Sequence, residues 1–341
     1  MSRPTPADRF IETARNALGD QYAGRLDDQS LIPALARDPA MMRRIASAVS
    51  ELPTSHRIVR ADARRLDFVA EESVHLVVTS PPYWTLKEYR HSAGQLGDVE
   101  DYESFLRELD RVWAECLRVL VPGGRLVIVV GDVCLSRKTH GRHEVVPLHA
   151  SIVEHCRRLG FSNLAPILWY KIANAKYEVE GGSGFLGKPY EPNAVIKNDI
   201  EFILMQRKPG GYRSPSLGMR LLSTLSEADH RDWFRQVWSL PGASTREHPA
   251  PYPVPLAERL IRMFSFVGDV VLDPFMGTGT TSIAASRCGR DSVGVEVDPS
   301  YFEIARRNIG ALESGLLGNM KLVVEETPFP ALALVANDGT R

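Results

Sequence analysis

The sequence has no apolar run approaching the ~20 residues needed to cross a bilayer, so no membrane association is expected. Its amino end, MSRPTPADRF, lacks the apolar stretch of a secretory signal, and its carboxyl end, ALALVANDGTR, is short and polar for an anchor. Cysteine is scarce. Cys116, Cys134, Cys156 and Cys288 are scattered without a CxxC pair, which argues against a zinc site or a disulfide frame. No metal is expected, and a cytoplasmic protein with reduced thiols follows. A surplus of positive charge is also missing: 41 basic against 42 acidic side chains leave no polybasic nucleic-acid arm. No internal repeat is visible. The balance that remains, 44% apolar and 24% charged over 341 residues, is that of a globular chain able to bury a sizeable core in one large domain or two modest ones.

Residues 1–55 read as a helical extension. Phe10, Ile11, Ala14, Ala17 and Leu18 share one helix face, and Met42, Ile45, Val49 and Leu52 share another. Asp38-Pro39 has the form of an N-cap followed by proline at the first helical position. The text then changes to short apolar runs alternating with helical patterns. Strands are predicted at Ile58–Ala61, Val74–Thr79, Arg125–Gly131, Leu164–Tyr170 and Glu201–Gln206, with helices over Tyr102–Leu120 and Val146–Leu159. Two later strands, Asp269–Asp273 and Ser292–Val297, flank a helix over Thr281–Cys288 that Gly289 closes. This alternation predicts an α/β fold: a Rossmann-like, seven-stranded, mostly parallel sheet with helices on both faces.

Two segments break the rhythm and read as inserted loops. Asn174–Pro192 is rich in Gly and Pro, and Lys208–Pro255 carries one predicted helix near Ser226–Val237. The second has six basic residues (Lys208, Arg213, Arg220, Arg231, Arg235, Arg246) against four acidic ones, a small positive excess. The expected organisation is an extension over 1–55, a first α/β half over 56–206, an irregular region over 207–247, a second α/β half over 248–325 and a loosely ordered tail over 326–341.

The first stretch with chemical content is VVLDPFMGTGTT, Val270–Thr281. A buried strand runs into Asp273, and a glycine turn at Gly277 and Gly279 opens a helix, so a ligand can approach the backbone closely. A P-loop would place Lys where Thr280 stands, and a dinucleotide fingerprint would place a third glycine where Ser282 stands. The next strand ends at Glu296, where an acid can bind both hydroxyls of a ribose; the alternative is a plain surface carboxylate. Asp298 is explained as the N-cap of the helix that begins at Pro299.

The second stretch is VVTSPPYW, Val77–Trp84. Two successive prolines remove backbone donors and hold the chain in an extended bend. The carbonyls of Ser80 and Pro81 then stand as acceptors beside the Ser80 hydroxyl and the ring of Tyr83. An amino group on an aromatic ring needs such acceptors and a ring to stack on; a rigid turn with an aromatic plug is the plainer alternative.

Together the two stretches resemble the amino-methylating DNA methyltransferases that use S-adenosylmethionine. Their (S/D/N)PP(Y/F) tetrapeptide is here Ser80-Pro81-Pro82-Tyr83, and their FxGxG loop is Phe275-Met276-Gly277-Thr278-Gly279. HPAPYP (His248–Pro253), LVPGG (Leu120–Gly124) and WYK (Trp169–Lys171) match further landmarks, and the motif order looks like the β-class arrangement over about residues 56–310. The resemblance implies methyl transfer to an exocyclic base amine, with Ser80, Pro81, Pro82 and Tyr83 catalytic. It implies S-adenosylmethionine held by Asp62 (in ADAR), Asp273, Phe275, Gly277, Gly279, Thr280, Thr281 and Glu296. A cytosine C5 enzyme needs a nucleophilic cysteine, usually after proline, and none of the four cysteines follows one.

The implied partner is double-stranded DNA with its target base flipped out against Tyr83 and Trp84. Lys87 and Arg90 in a loop over Lys87–Gly97, Arg137, Lys138 and Arg142 in the acid-free Leu135–His143, and Arg213 and Arg220 in the later segment are candidates for DNA contact. Serine in the tetrapeptide points within the family to cytosine N4 ahead of adenine N6. A monomer or homodimer with a cognate restriction endonuclease is the expected setting. The alternatives are a nucleic-acid-binding protein that kept the fold but lost catalysis, and a methyltransferase for RNA or a small molecule.

Overall fold

A computed structural model describes residues 6–19, 22, 30–84, 92, 94–135, 140–171, 198–243, 251–313 and 319–327. The loop expected over Asn174–Pro192, residues Lys87, Arg90, Arg137 and Lys138, and the tail beyond residue 327 lie outside the described residues.

Strand β1 (Thr54–Arg60) follows the N-terminal helices, and β2 (Val74–Thr79) is buried along nearly its whole length. A strand without a polar face must be covered on both sides, and the helices do this. Alternate side chains of β2 and of β3 (Leu120–Val130) divide between two cores. Val77, Leu126, Ile128 and Val130 pack with Phe105, Leu109, Trp113 and Cys116 of helix Tyr102–Val119 and with Ile152 of helix Leu148–Arg158. Leu76, Val78, Val127 and Val129 pack instead with Leu256, Leu260 and Ile261 of helix Val254–Phe264 and with Ala284 and Ala285 of helix Thr280–Arg287.

The main sheet continues from β2 to β9 (Val270–Asp273), β10 (Asp291–Glu296), β1 and β11 (Met320–Glu326) on one side. On the other side stand β3, β7 (Ile200–Arg207), β6 (Ser162–Tyr170) and β8 (Val237–Ser239). Among the described residues of this sheet only β7 runs antiparallel to its neighbours. A separate hairpin joins β4 (Val133–Leu135) to β5 (Glu144–Val146).

The α/β architecture is as expected, but the main sheet has nine strands among the described residues instead of seven. β8 is three residues long, too short for a periodicity, and it takes the end of the stretch expected to be helical over Ser226–Val237. The helix there stops at Trp233, whose carbonyl accepts the indole N–H of buried Trp238 at 2.9 Å. β11 hides in MKLVVEE because an edge strand exposes residues on both faces, here Lys321 on one and Val324 and Glu326 on the other, which blurs the alternation; Arg57 grips Glu325 across the β1 pairing at 2.6 Å.

The N-terminal helices α1 (Pro6–Leu18), α2 (Leu31–Ala36) and α3 (Pro39–Ser50) share one apolar cluster with Leu221 and Leu222 of helix Leu217–Leu222 and with Val267 just before β9. Asp38 caps α3 by accepting from Ala40 and Met41 N–H at 2.8 and 3.1 Å, with Pro39 at the first turn. Their cluster therefore sits at the amino-terminal edge of the strands. Among the described residues no helix is long and apolar enough to cross a membrane.

Gly218 lets α1 lie directly on helix Leu217–Leu222, since a Cβ there would collide with the backbone of Phe10 and Ile11. Gly218→Val should cost about 1–3 kcal/mol, the usual penalty of overpacking, seen as a lower denaturant midpoint together with faster proteolysis within α1. An unchanged midpoint would mean that this contact contributes nothing to folding.

Candidate active site

The carboxyl ends of β1, β10, β9, β2 and β3 line up along one sheet edge, presenting in turn Asp62, Glu296, Phe275, Ser80 and Gly131. The connections from β9 and β2 leave in opposite directions, so a crevice opens between them, where open α/β sheets bind ligands. One cleft at this edge is lined by Asp62, Ser80, Pro82, Phe275 and Glu296. Gly94, Gln95, Leu96 and Tyr301 complete its wall. The first three belong to the segment read from sequence as a DNA loop. Tyr301 follows Asp298, which caps helix Pro299–Glu313 by accepting from Ser300 and Tyr301 N–H at 2.8 Å.

The glycine turn acts through Glu296. Glu296 Oε2 accepts the Gly277 N–H at 2.8 Å and Oε1 accepts the Asp298 N–H at 2.9 Å. Burial raises its pKa to about 7, and these two N–H donors oppose the shift. Gly279 is the N-cap of helix Thr280–Arg287 with φ +92°, where a side chain would be strained and its Cβ would stand 2.9 Å from Ile309 Cδ1. Gly277, Gly279 and Thr280 are outside the cleft lining and shape it from behind.

Asp273 and Thr281 are likewise behind the wall. The fully buried Asp273 carboxylate accepts from Thr79 Oγ1 at 2.7 Å, Phe275 N–H at 3.1 Å, Tyr252 OH at 3.0 Å and the Thr281 hydroxyl. Burial raises its pKa, and the hydroxyl donors of Thr281 and Thr79 counter this. Tyr252 escaped the sequence reading as a site residue, although its motif HPAPYP stood out.

At the other side of the cleft, the Ser80 hydroxyl lies 3.4 Å from Tyr83 OH, and the buried Tyr83 ring runs beside Gly131. Trp84, expected beside Tyr83 against the flipped base, is held by its own neighbours. Its φ is +45°, its indole N–H donates to Glu100 O at 3.0 Å, and its ring meets Tyr102 edge-on at 5.0 Å. The indole is thereby committed to the start of helix Tyr102–Val119.

Two candidate DNA residues lie at the wrong edge. Arg213 holds Asp269 through both terminal nitrogens at 2.5 Å, immediately before β9 begins. Arg220 sits on the helix packed against α1. The sign of a segment's charge carries no information about the edge at which it folds. Arg142 is exposed and pairs with Glu144 at 2.7 Å. Among the described residues no cluster of His, Cys, Asp and Glu is arranged to hold a metal ion.

Tyr252→Phe removes one of the four donors on a buried carboxylate, so a loss of about 1–3 kcal/mol in folding stability is expected. Urea denaturation measures it, and a change below a few tenths of a kcal/mol would show that the Asp273 cluster tolerates an open position.

The site can be set beside known proteins. The family profile described as DNA methylase, for N6 and N4 enzymes, matches residues 74–307. The Type II methyltransferase M.MjaI of Methanocaldococcus jannaschii is 38% identical over 290 residues, covering 76% of this chain and 93% of the relative. M.MthZI of Methanothermobacter thermautotrophicus is 34% identical, over 76% and 77% of the two chains. TTHA0409 of Thermus thermophilus, solved in complex with S-adenosyl-L-methionine, superposes with a TM-score of 0.65 at 52% identity over 80% of this chain and 99% of that one. The cytosine-N4-specific PvuII DNA methyltransferase shares the fold, with a TM-score of 0.54 at 19% identity over 80% and 97%. A match spanning more than half of the chain, centred on the strands that build the cleft, makes this chain a member of the N6/N4 DNA methylase family.

Proposed function

We propose that the chain transfers a methyl group from S-adenosylmethionine to the exocyclic N4 amine of cytosine in duplex DNA, at a specific site and after base flipping. The observation that carries this reading is the shared cleft. Ser80 and Pro82 of the tetrapeptide border the same cavity as Phe275, Glu296 and Asp62, although the two motifs lie at opposite ends of the catalytic sequence. A cofactor whose ribose meets Glu296 and whose adenine lies toward Asp62, Val297 and Tyr301 would bring its other end to Ser80. The residues suit that group: a carboxylate for hydroxyls, apolar walls for a purine and a further acceptor for its amine.

When bound, this cofactor supplies an electrophilic methyl on a sulfonium. The amine is a poor nucleophile because its lone pair is delocalised into the ring. In this reading, the Ser80 hydroxyl oxygen and the Pro81 carbonyl accept its hydrogens and draw the nitrogen toward a tetrahedral geometry. The nitrogen–carbon bond forms as the carbon–sulfur bond breaks, with the electron pair leaving on sulfur. Serine is not basic enough to take the proton beforehand, so the proton leaves to water with or after transfer. Orientation and electrostatics then carry the rate.

Serine at the head of the tetrapeptide favours cytosine N4, and adenine N6 is the competing outcome. DNA contact is assigned to the sequence segments Lys87–Gly97 and Leu135–His143, which follow β2 and link β4 to β5. Monomer or homodimer, with a cognate restriction endonuclease as the functional counterpart, completes the reading.

Purified protein with tritiated S-adenosylmethionine should label duplex DNA, and mass analysis of its nucleosides should show N4-methylcytosine. N6-methyladenine would overturn the base assignment, and cofactor binding without label on any DNA would overturn the activity. Ser80→Ala should lower turnover by about 100-fold or more, as loss of a positioned hydrogen-bonding group does, with cofactor affinity within a few-fold. Equal loss of both would make Ser80 structural.

Glu296 makes the cofactor site pH-dependent. The unfolded chain releases this proton near 4.5, whereas the folded protein keeps it to about 7. Its contribution to stability therefore falls as pH rises from 4.5 through 7. Cofactor binding has the opposite sign, because ribose hydroxyls need an ionised acceptor. Affinity measured by calorimetry should rise about tenfold from pH 6 to pH 8, and Glu296→Gln should flatten the profile. A flat profile in the unmodified protein would remove Glu296 from the ribose.

A further inference from the structure

The acid at the far end of the cleft is not free to turn. Arg64 lies in the loop after β1, and its side chain is fully enclosed. Its Nε donates to both Asp62 oxygens at 3.0 Å, Nη2 donates to Oδ2 at 2.5 Å, and its backbone N–H donates to Oδ1 at 2.9 Å. Nη1 points the other way and donates to Glu108, which is buried on helix Tyr102–Val119. Arg111, one turn along, approaches Glu108 at 3.3 Å and reaches solvent. Charges thus alternate in a row from the cleft wall to the helix surface. Gly94 closes the cleft side of the row: a Cβ there would stand 3.2 Å from Asp62 Oδ2 and 3.7 Å from Arg64 Nη2. The neighbouring Arg65 is the opposite case, half exposed and paired with Asp67 at 3.0 Å.

We propose that Arg64, anchored by Glu108, is a positioning residue that makes the cleft select a 6-aminopurine cofactor over a 6-oxopurine one. This rests on the reading of Asp62 as the acceptor for the cofactor's adenine amine. A forked guanidinium fixes the plane of a carboxylate as a single ammonium cannot. Every bond that Arg64 brings to Asp62 is a donated one, so the capacity left toward the cleft is that of an acceptor. An amino group at purine C6 satisfies it. A 6-oxo group would set oxygen against oxygen in a water-poor site. Glu108 keeps Arg64 from swinging toward the ligand by holding its far nitrogen, and it compensates a guanidinium that burial would otherwise destabilise.

The test compares binding of S-adenosylhomocysteine and S-inosylhomocysteine, identical except at purine C6, to the full chain by calorimetry. The unmodified protein should prefer the adenosyl ligand by about 100-fold or more, the scale on which sites built for one hydrogen-bond pattern reject another. Arg64→Met and Glu108→Gln should each shrink that preference at least tenfold, Arg64→Lys should restore part of it, and Arg65→Met should leave it unchanged. A preference equal to the unmodified protein's in both Arg64→Met and Glu108→Gln, with only melting temperature lowered, would overturn the proposal. Should Arg64→Met fail to fold, the near-isosteric Glu108→Gln and charge-conserving Arg64→Lys decide on the same criterion. Asp62→Ala separates the two levels. If it leaves the preference intact, the reading of Asp62 itself fails. If it abolishes the preference while the Arg64 variants do not, only the positioning role fails.

Discussion

A hydrogen bond from Thr79 to Asp273, spanning 194 residues, ties the two halves of this protein together at the point where the site is built. β2 and β9 lie side by side because their apolar residues match on both faces of the sheet, but parallel pairing alone leaves the strand ends loose. The Asp273 carboxylate removes that freedom. It gathers donors from β2, from the turn after β9, from the helix that the glycines open and from the HPAPYP segment. Ser80 begins one residue beyond Thr79, and Phe275 two beyond Asp273, so the distance between the two motifs is set by this cluster. Its low-dielectric surroundings make each of those bonds count and would make a missing one costly.

Three carboxylates stand at or behind the cleft, and each meets burial with a different partner. Asp273 is satisfied mainly by hydroxyls, which hold it in place. Glu296 takes backbone N–H groups from the glycine turn and the next helix cap, which only partly offset burial, so its pKa stays raised to about 7 and responsive to a ligand. Asp62 takes a guanidinium, which orients it. The differences follow from position. Glu296 ends a strand beside tight turns that bring two backbone donors to it, whereas Asp62 has one backbone donor, from Arg64, and takes the rest from the Arg64 side chain.

Much of this was legible in the sequence for specific reasons. β2 and the helix Tyr102–Val119 carry strong periodicity and clear ends, and they appear where expected to within a residue. SPPY and the glycine turn are short, but their chemistry is local: prolines and glycines dictate backbone shape without help from afar. β8 was missed because three residues carry no periodicity, and β11 because an edge strand exposes both faces and draws its stability from its neighbour. Gln95, Leu96 and Tyr301 were missed as cleft residues because nothing about their types marks them. Arg213 was misplaced, and the partner of Trp84 was missed, for a related reason. Their charge and ring suit DNA, but Asp269 and Glu100, each reached only in the folded chain, claim them first.

The near balance of 41 basic and 42 acidic residues illustrates the same division. Read as a total, it speaks only of weak long-range attraction to a polyanion. In the structure much of that charge is spent internally: Arg57 on Glu325, Arg64 on Asp62 and Glu108, Arg213 on Asp269. By itself the sequence determined the class of fold, the two backbone-shaped motifs and the family to which they belong, because these depend on period and on residues with restricted backbones. The tertiary structure alone decided which charged groups face the cleft, which brace it and which lie at the opposite edge. Those outcomes depend on partners brought to hydrogen-bonding distance, about 3 Å, from distant parts of the chain, and no local pattern encodes such a distance.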